Sequence, residues 1–256
     1  MAQKSQNLLC SLLFVFCSFL LWSCGIEDIP YIDPIPQGNI TQAMNNRAVV
    51  RIPGNSPGTT FTNFAVFYRI YVSDTPQAST ISTSIYSTIN STLASDYNSF
   101  RAYIDSTTQV NVDMDRIFQN RGYRYLVLED TNTNNISIST VLSESSLGQS
   151  LEFDFSSFKR PTITLGSNTY VLWRSDGGGL FNPRPDRYFV NSEELWNPEN
   201  INSQINADVV NNANLSASGR RYTYAAMFIV AVGINPSSYS NVYSTPSLIH
   251  VFLLPD

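Results

Sequence analysis

"FTNFAVFYRIYVSD", residues Phe61 to Asp74, decides the fold class. Phe64, Val66, Tyr68, Ile70 and Val72 alternate with Ala65, Phe67, Arg69 and Tyr71. Apolar and aromatic side chains therefore fall on both faces of a period-two element, which predicts a strand with both faces partly covered. The cluster GNSPG before it reads as a turn, and Arg47 to Pro53 (RAVVRIP) as the preceding strand.

Downstream, Tyr123–Glu129, Ile136–Leu142 and Leu151–Phe155 read as strands. Thr162–Leu165 and Thr169–Arg174 flank Gly166-Ser167-Asn168 and predict a tight hairpin. Arg221–Val232 (RYTYAAMFIVAV) and Ser247–Leu254 (SLIHVFLL) are core strands. Between residues 79 and 105 the period changes: Ile81, Ile85, Ile89, Leu93, Tyr97, Phe100 and Ile104 recur at helical steps and predict a helix. A second, short helix is expected over residues 113–120, capped by Asp113 and closed near Gly122. With no internal repeat and no clean linker, residues 41–256 are expected to form a single β-rich domain.

Two pieces, FYRIYVSD at 67–74 and AVGINPSSYSNVYSTPSLIHVF at 231–252, resemble the third strand and final hairpin of fibronectin type III modules. The resemblance covers under a fifth of the chain and implies a fold of the immunoglobulin/fibronectin type III kind. The expectation is thus a mainly β protein: an antiparallel β-sandwich with a helix-containing insertion at about 75–220.

The first 40 residues have a different character. Lys4 precedes an apolar run from Leu8 to Leu21, too short for a hydrocarbon core that needs roughly 20 residues, yet suited to the apolar region of a signal peptide. All three cysteines, Cys10, Cys17 and Cys24, lie here. Leu21-Trp22-Ser23-Cys24 resembles the lipobox of bacterial lipoproteins, with Trp22 departing from the small residue common at that position. The resemblance implies that residues 1–23 are a cleaved signal peptide, that Cys24 carries the lipid, and that the membrane is a partner through it. GIEDIPYIDPIPQGN then reads as a Pro-rich acidic tether over residues 24–40. In enteric members of that family an aspartate directly after the cysteine favours the inner membrane. Gly25 stands there, so the outer membrane of the cell envelope is the expected location.

Cleavage removes one of the 15 basic side chains (Lys4) and none of the 20 acidic ones, moving the net charge from −5 to −6. Such a chain is repelled by nucleic acid, which is not expected as a partner. With Cys24 acylated, no thiol remains for a disulfide, a zinc site or a nucleophile. His250, the only histidine, alternates with apolar neighbours and reads as a strand position rather than a catalytic base. Asp113 and Asp115 lack the glycine and distal glutamate of a calcium loop, and Gly177-Gly178-Gly179 lacks the Lys-Ser/Thr of a phosphate cradle. Neither a catalytic residue nor a metal or cofactor site is expected.

One stretch, WRSDGGGLFNPRPDRYFVNSEELW, carries both tryptophans of the mature chain. Trp173, Arg174, Asp176, Arg187, Tyr188 and Trp196 are the candidate ligand contacts, with Arg174, Asp176, Arg187 and Tyr188 read as lying in loops, Ser192 as opening a short helix before Trp196, and a core place for both tryptophans as the alternative. Aromatic planes beside Arg and Asp suit a glycan or a partner-protein hot spot.

Overall fold

The structure is a computed structural model, and it describes residues 32–44, 46–73, 122–129, 136–157, 160–174, 187–190, 193–196, 209–211, 222–237, 239 and 241–254. All of these belong to the compact unit Tyr31–Asp256. Both expected helices, at 79–105 and 113–120, lie outside the described residues, as do Cys24 and Asp176.

The fold is mainly β and almost wholly antiparallel. Its centre is β3 (Phe61–Ser73) paired with β12 (Tyr222–Ile234), in register from Tyr222↔Ser73 to Gly233↔Phe61. Phe64, Val66, Tyr68 and Ile70 of β3, with Ala225, Met227, Ile229 and Ala231 of β12, enter the main core. Ala65 and Phe67, with Phe228, Val230 and Val232, form a second cluster on the other face. The two-sided pattern of Phe61–Asp74 is therefore met by cover on both faces. Each fully buried Val, Ile or Phe contributes roughly 1.5–3 kcal/mol, so this pair anchors the fold.

Around it run β1 (Ile40–Met44), β2 (Arg47–Arg51), β4 (Arg124–Leu128), β5 (Ile136–Ser137), β6 (Ser150–Asp154), β7 (Thr162–Leu165) and β8 (Asn168–Arg174). Three further strands are β11 (Val209–Asn211), β13 (Asn241–Tyr243) and β14 (Ser247–Leu254). The order is β1-β2-β6-β7-β8-β4-β3-β12-β13, with β14 also on β12, β5 on β4, and β11 parallel to β3. The flanking strands are amphipathic: in β2 Ala48 and Val50 are buried while Arg47 and Arg51 are exposed, and in β6 Leu151 and Phe153 are buried. The β7–β8 hairpin turns at Gly166-Ser167, with Leu165 opposite Asn168. Only Gly166 of the two has positive φ, +59°, as in a type II′ turn.

The sheet curls into a half-barrel. Phe252 of β14 meets Phe153 at 6.0 Å and stacks on Phe155 at 4.4 Å, joining opposite walls across the core. Side chains stitch the seam: Gln37 Nε2 donates to the Leu248 carbonyl, Gln42 Nε2 to that of Ile249, and Ser247 Oγ to that of Ile35.

Three boundaries differ from the sequence reading. Ile32 and Ile35 are 2% exposed and belong to the main core, so the stretch expected to be tether through residue 40 joins the domain from Ile32 onward. Its apolar isoleucines, spaced among prolines, carry no periodicity that would have marked them as core. Residues 122–174 are not an insertion: β4 lies between β3 and β8, and β6 pairs with β2, so this segment builds half the sheet. Finally, Ile136–Leu142 is not one strand. After β5 comes a single helical turn, α1 (Ile138–Val141), with the Leu142 amide donating to the Ile138 carbonyl at 3.0 Å. A strand would turn Val141 away from Ile138 and Leu142. The helical turn brings all three to the core.

Candidate functional site

β8 presents Trp173 and Arg174 as neighbours, and adjacent residues of a strand face opposite ways. Leu172 belongs to the main core, so Arg174 shares its inward face; it is 1% exposed, the largest of the fully buried side chains. Trp173 faces outward and is half-buried. The two residues expected to share a ligand face are thus separated by the sheet itself. Both sit in β8, where Thr169–Arg174 was expected as a strand.

The register extends Trp173 into a surface. Val127 of β4 lies directly opposite, with Tyr125 and Glu129 as the diagonal neighbours on the same face. Glu129 is ion-paired with Arg160, and its amide continues the ladder to the Val171 carbonyl. Tyr125 packs on the second cluster, where its ring lies 4.3 Å from Phe67 and its hydroxyl 3.4 Å from that of Tyr243. Phe67 stacks on Phe228 at 5.3 Å, Tyr123 meets Phe228 edge-on at 5.1 Å, and the Arg69 guanidinium lies 5.2 Å from the Tyr123 ring. Trp173, Tyr125 and Tyr243 are therefore half-buried aromatics carried on rigid strands, and Tyr125 and Tyr243 pack against the second cluster. Tyr125, Glu129 and Tyr243 were not among the expected contacts. The alternation of Tyr123, Tyr125, Val127 and Glu129 in YRYLVLE is the signal that places them on one face.

Arg187, Tyr188 and Trp196 lie in a separate two-stranded hairpin, β9 (Arg187–Val190) and β10 (Glu193–Trp196). Its register sets Arg187 opposite Trp196 and Tyr188 opposite Leu195. The backbone thus brings two of the expected contacts together, Arg187 in a strand rather than a loop and Trp196 in a strand where Ser192 was expected to open a helix.

Arg124, His250 and Arg174 also fall on the inward face, among core residues. Arg124 pairs with Tyr68, Tyr68 with Met227, and Met227 with His250, with Arg174 one step along beside Leu126. His250 is 5% exposed and meets Phe252 edge-on at 5.0 Å, as a packed strand residue. Among the described residues no three His, Cys, Asp or Glu side chains come together as a metal site, and no helix is long and apolar enough to cross a membrane.

Comparison of the chain with protein-family models, with curated proteins and with solved structures finds no match.

Proposed function

We propose that this chain is a lipid-anchored protein of the bacterial cell envelope whose non-catalytic β domain binds a partner or serves a structural role at the membrane surface. The observation that carries the reading is Leu21-Trp22-Ser23-Cys24 at the end of the apolar run Leu8–Leu21, with no cysteine after it. Acylation of Cys24 with two or three chains anchors stably where one chain binds only marginally. The absence of an acid at Gly25 supports the outer membrane as its destination.

Mass spectrometry of the mature N-terminal peptide tests the anchor. A diacylglyceryl-modified Cys24 is expected, and Cys24→Ala should leave the detergent phase for the aqueous one. An unmodified thiol, or unchanged partitioning of the variant, defeats the reading. Recovery of the wild-type protein with inner-membrane markers defeats the outer-membrane assignment alone.

A second reading, glycan or solute binding, is favoured by Trp173 and Tyr125, which place two half-buried aromatic side chains on one rigid face beside Glu129. A glycan array probed with the protein and with Trp173→Ala tests it. Signal that vanishes in the variant supports this reading; an array silent for both removes it.

A further inference from the structure

Strand directions give the half-barrel two ends. At one, β3 begins, β12 finishes and Phe61 lies opposite Gly233; at the other, Ser73 lies opposite Tyr222. The N-terminal segment joins at the Phe61 end. There the Asp33 amide donates to the Pro57 carbonyl, and Ile32 Cδ1 would lie 2.4 Å from a Cβ added at Gly233. Ile234, next to Gly233, is 42% exposed, and Tyr239, in the turn between β12 and β13, is 85% exposed; these are the two exposed large hydrophobic side chains among the described residues.

Tyr239 is also the single non-glycine residue with positive φ among those described, at +56°. An L-residue there costs roughly 1–2 kcal/mol, a cost that glycine escapes. The turn is held by the Tyr239 amide donating to the Asn235 carbonyl at 2.8 Å and by the Ser237 amide donating to Asn235 Oδ1 at 2.8 Å. A large aromatic side chain is thus held out to solvent at a position where its backbone is strained.

The length of chain outside the domain supplies the occupant. Seven residues, and so eight Cα–Cα steps, separate Cys24 from Ile32. Fully extended, that stretch spans at most about 28 Å. A domain of this length has a radius of gyration of roughly 17 Å, hence a diameter near 45 Å. That reach is shorter than the diameter of the domain, so the end bearing Ile32 cannot be the one farthest from the bilayer.

We propose that the Phe61 end of the half-barrel docks on the lipid surface, with Tyr239 and Ile234 in the headgroup layer. The proposal rests on acylation of Cys24. Tyrosine suits that layer, its ring apolar and its hydroxyl wet. One aromatic and one aliphatic side chain bind lipid weakly on their own, but the anchor makes their contact intramolecular and so repeated. The net negative charge of the chain selects zwitterionic over anionic headgroups. Docked in this way, the domain turns its Ser73 end, toward which β8 runs as it leaves Trp173 and Arg174, away from the membrane.

The acylated full-length protein, reconstituted in phosphatidylcholine vesicles, provides the test. With Cys24 acylated, Tyr239→Cys introduces the sole free thiol, which takes a nitroxide label. Ser157→Cys, exposed just beyond β6 at the other end, is the control. Collision with lipid-soluble oxygen relative to a water-soluble nickel chelate should be several-fold higher at 239 than at 157. Equal, water-like accessibility at both sites in floating protein overturns the proposal while leaving the anchor intact. Spin–spin broadening at 239 in dilute vesicles assigns the patch to a second copy and overturns it as well. Failure of the unlabelled wild-type protein to float, with an unmodified Cys24, overturns both the anchor and the docking. Thermal midpoints of the labelled proteins equal to wild type show that each variant is folded. Unlabelled Tyr239→Gly should keep or raise that midpoint and also lose protection of Tyr239's neighbours from protease on vesicles; unchanged protection overturns the proposal.

Discussion

Gly233→Ala should destabilise the domain far more than the addition of one methyl group suggests. A Cβ at residue 233 would lie 2.4 Å from Ile32 Cδ1, 2.4 Å from the Thr60 carbonyl oxygen and 2.9 Å from its carbon. The isoleucine tip can rotate away. The carbonyl has far less freedom, because it accepts the Ile234 amide at 3.0 Å and closes the bulged end of the β3–β12 pair. Overpacking of this kind costs about 1–3 kcal/mol. Displacing Ile32 forfeits part of a further 1.5–3 kcal/mol or so of burial, and weakening the Ile234 hydrogen bond about 1 more. Alanine's lower unfolded-state entropy returns roughly 0.4–1 kcal/mol. A net loss of about 3–5 kcal/mol is expected, a large share of the 5–15 kcal/mol typical of a domain.

Urea unfolding of the mature chain measures this as a fall in midpoint at constant slope. A loss below about 1 kcal/mol would refute the packing of Ile32 and Thr60 onto Gly233. Combining Gly233→Ala with Ile32→Ala separates the two clashes. Ile32→Ala removes the Cδ1 contact and leaves the carbonyl one. The double variant should therefore cost less than the sum of the singles by at least about 1 kcal/mol. Strict additivity would mean that Ile32 is not the group in the way.

A mature chain shortened to begin at residue 40 should be less stable than one beginning at residue 31, because it lacks the buried Ile32 and Ile35; a shared urea midpoint would contradict their place in the core. Ser244→Ala should cost about 1–3 kcal/mol, since the buried Ala231 amide donates to Ser244 Oγ at 2.9 Å and would lose its acceptor, and hydrogen exchange at Ala231 should quicken. The Asp154 carboxyl is pushed up by partial burial, but Ser156, through hydroxyl and amide, and Arg47, at 2.7 Å, together bring it below the ordinary carboxylate value. Its contribution is therefore full above the unfolded value of about 3.9 and lost as pH falls through the lower folded one. Asp154→Asn should cost under about 1 kcal/mol at pH 6, as Arg47 is 54% exposed, and nothing near pH 2; a cost that persists in acid refutes the assignment.

What was legible in the sequence was what depends on local period. β3, β6, β7, β8, β12 and β14 stand where alternation and turn residues placed them, and Gly166 turns its hairpin as its chemistry requires. What was not legible depended on partners distant in the chain. Ile32 and Ile35 look like tether until β14 and Gly233 are beside them. The helical turn at Ile138–Val141 exists because the core accepts three apolar side chains from one side, a tertiary reason that overrides the β-branched propensity of Ile138, Thr140 and Val141. The candidate contacts suffered from the same blindness. Trp173 and Arg174 look like partners as neighbours in sequence, yet the pleat that made β8 recognisable is what sends them to opposite faces.

That pleat also determines what each face can do. Where both sides of a strand are packed, as in β3 and β12, a substitution on either face perturbs the core, and the strand can only support. A strand with only one face in the core can carry contact side chains on the other. In β8 and β4, Leu172, Leu126 and Leu128 hold the inner face rigid, while Trp173, Val127, Tyr125 and Glu129 are half-buried on the outer one. A ligand there would meet side chains whose backbones are fixed by the ladder, losing little entropy on binding. Arg174 has the opposite condition. Truncation to alanine would disturb packing before it touched any surface contact, so a binding defect in Arg174→Ala counts as recognition only if the thermal midpoint is unchanged. Trp173→Ala needs no such correction if its loss of stability is small. A pair of variants one residue apart thus distinguishes a binding face from the wall that carries it.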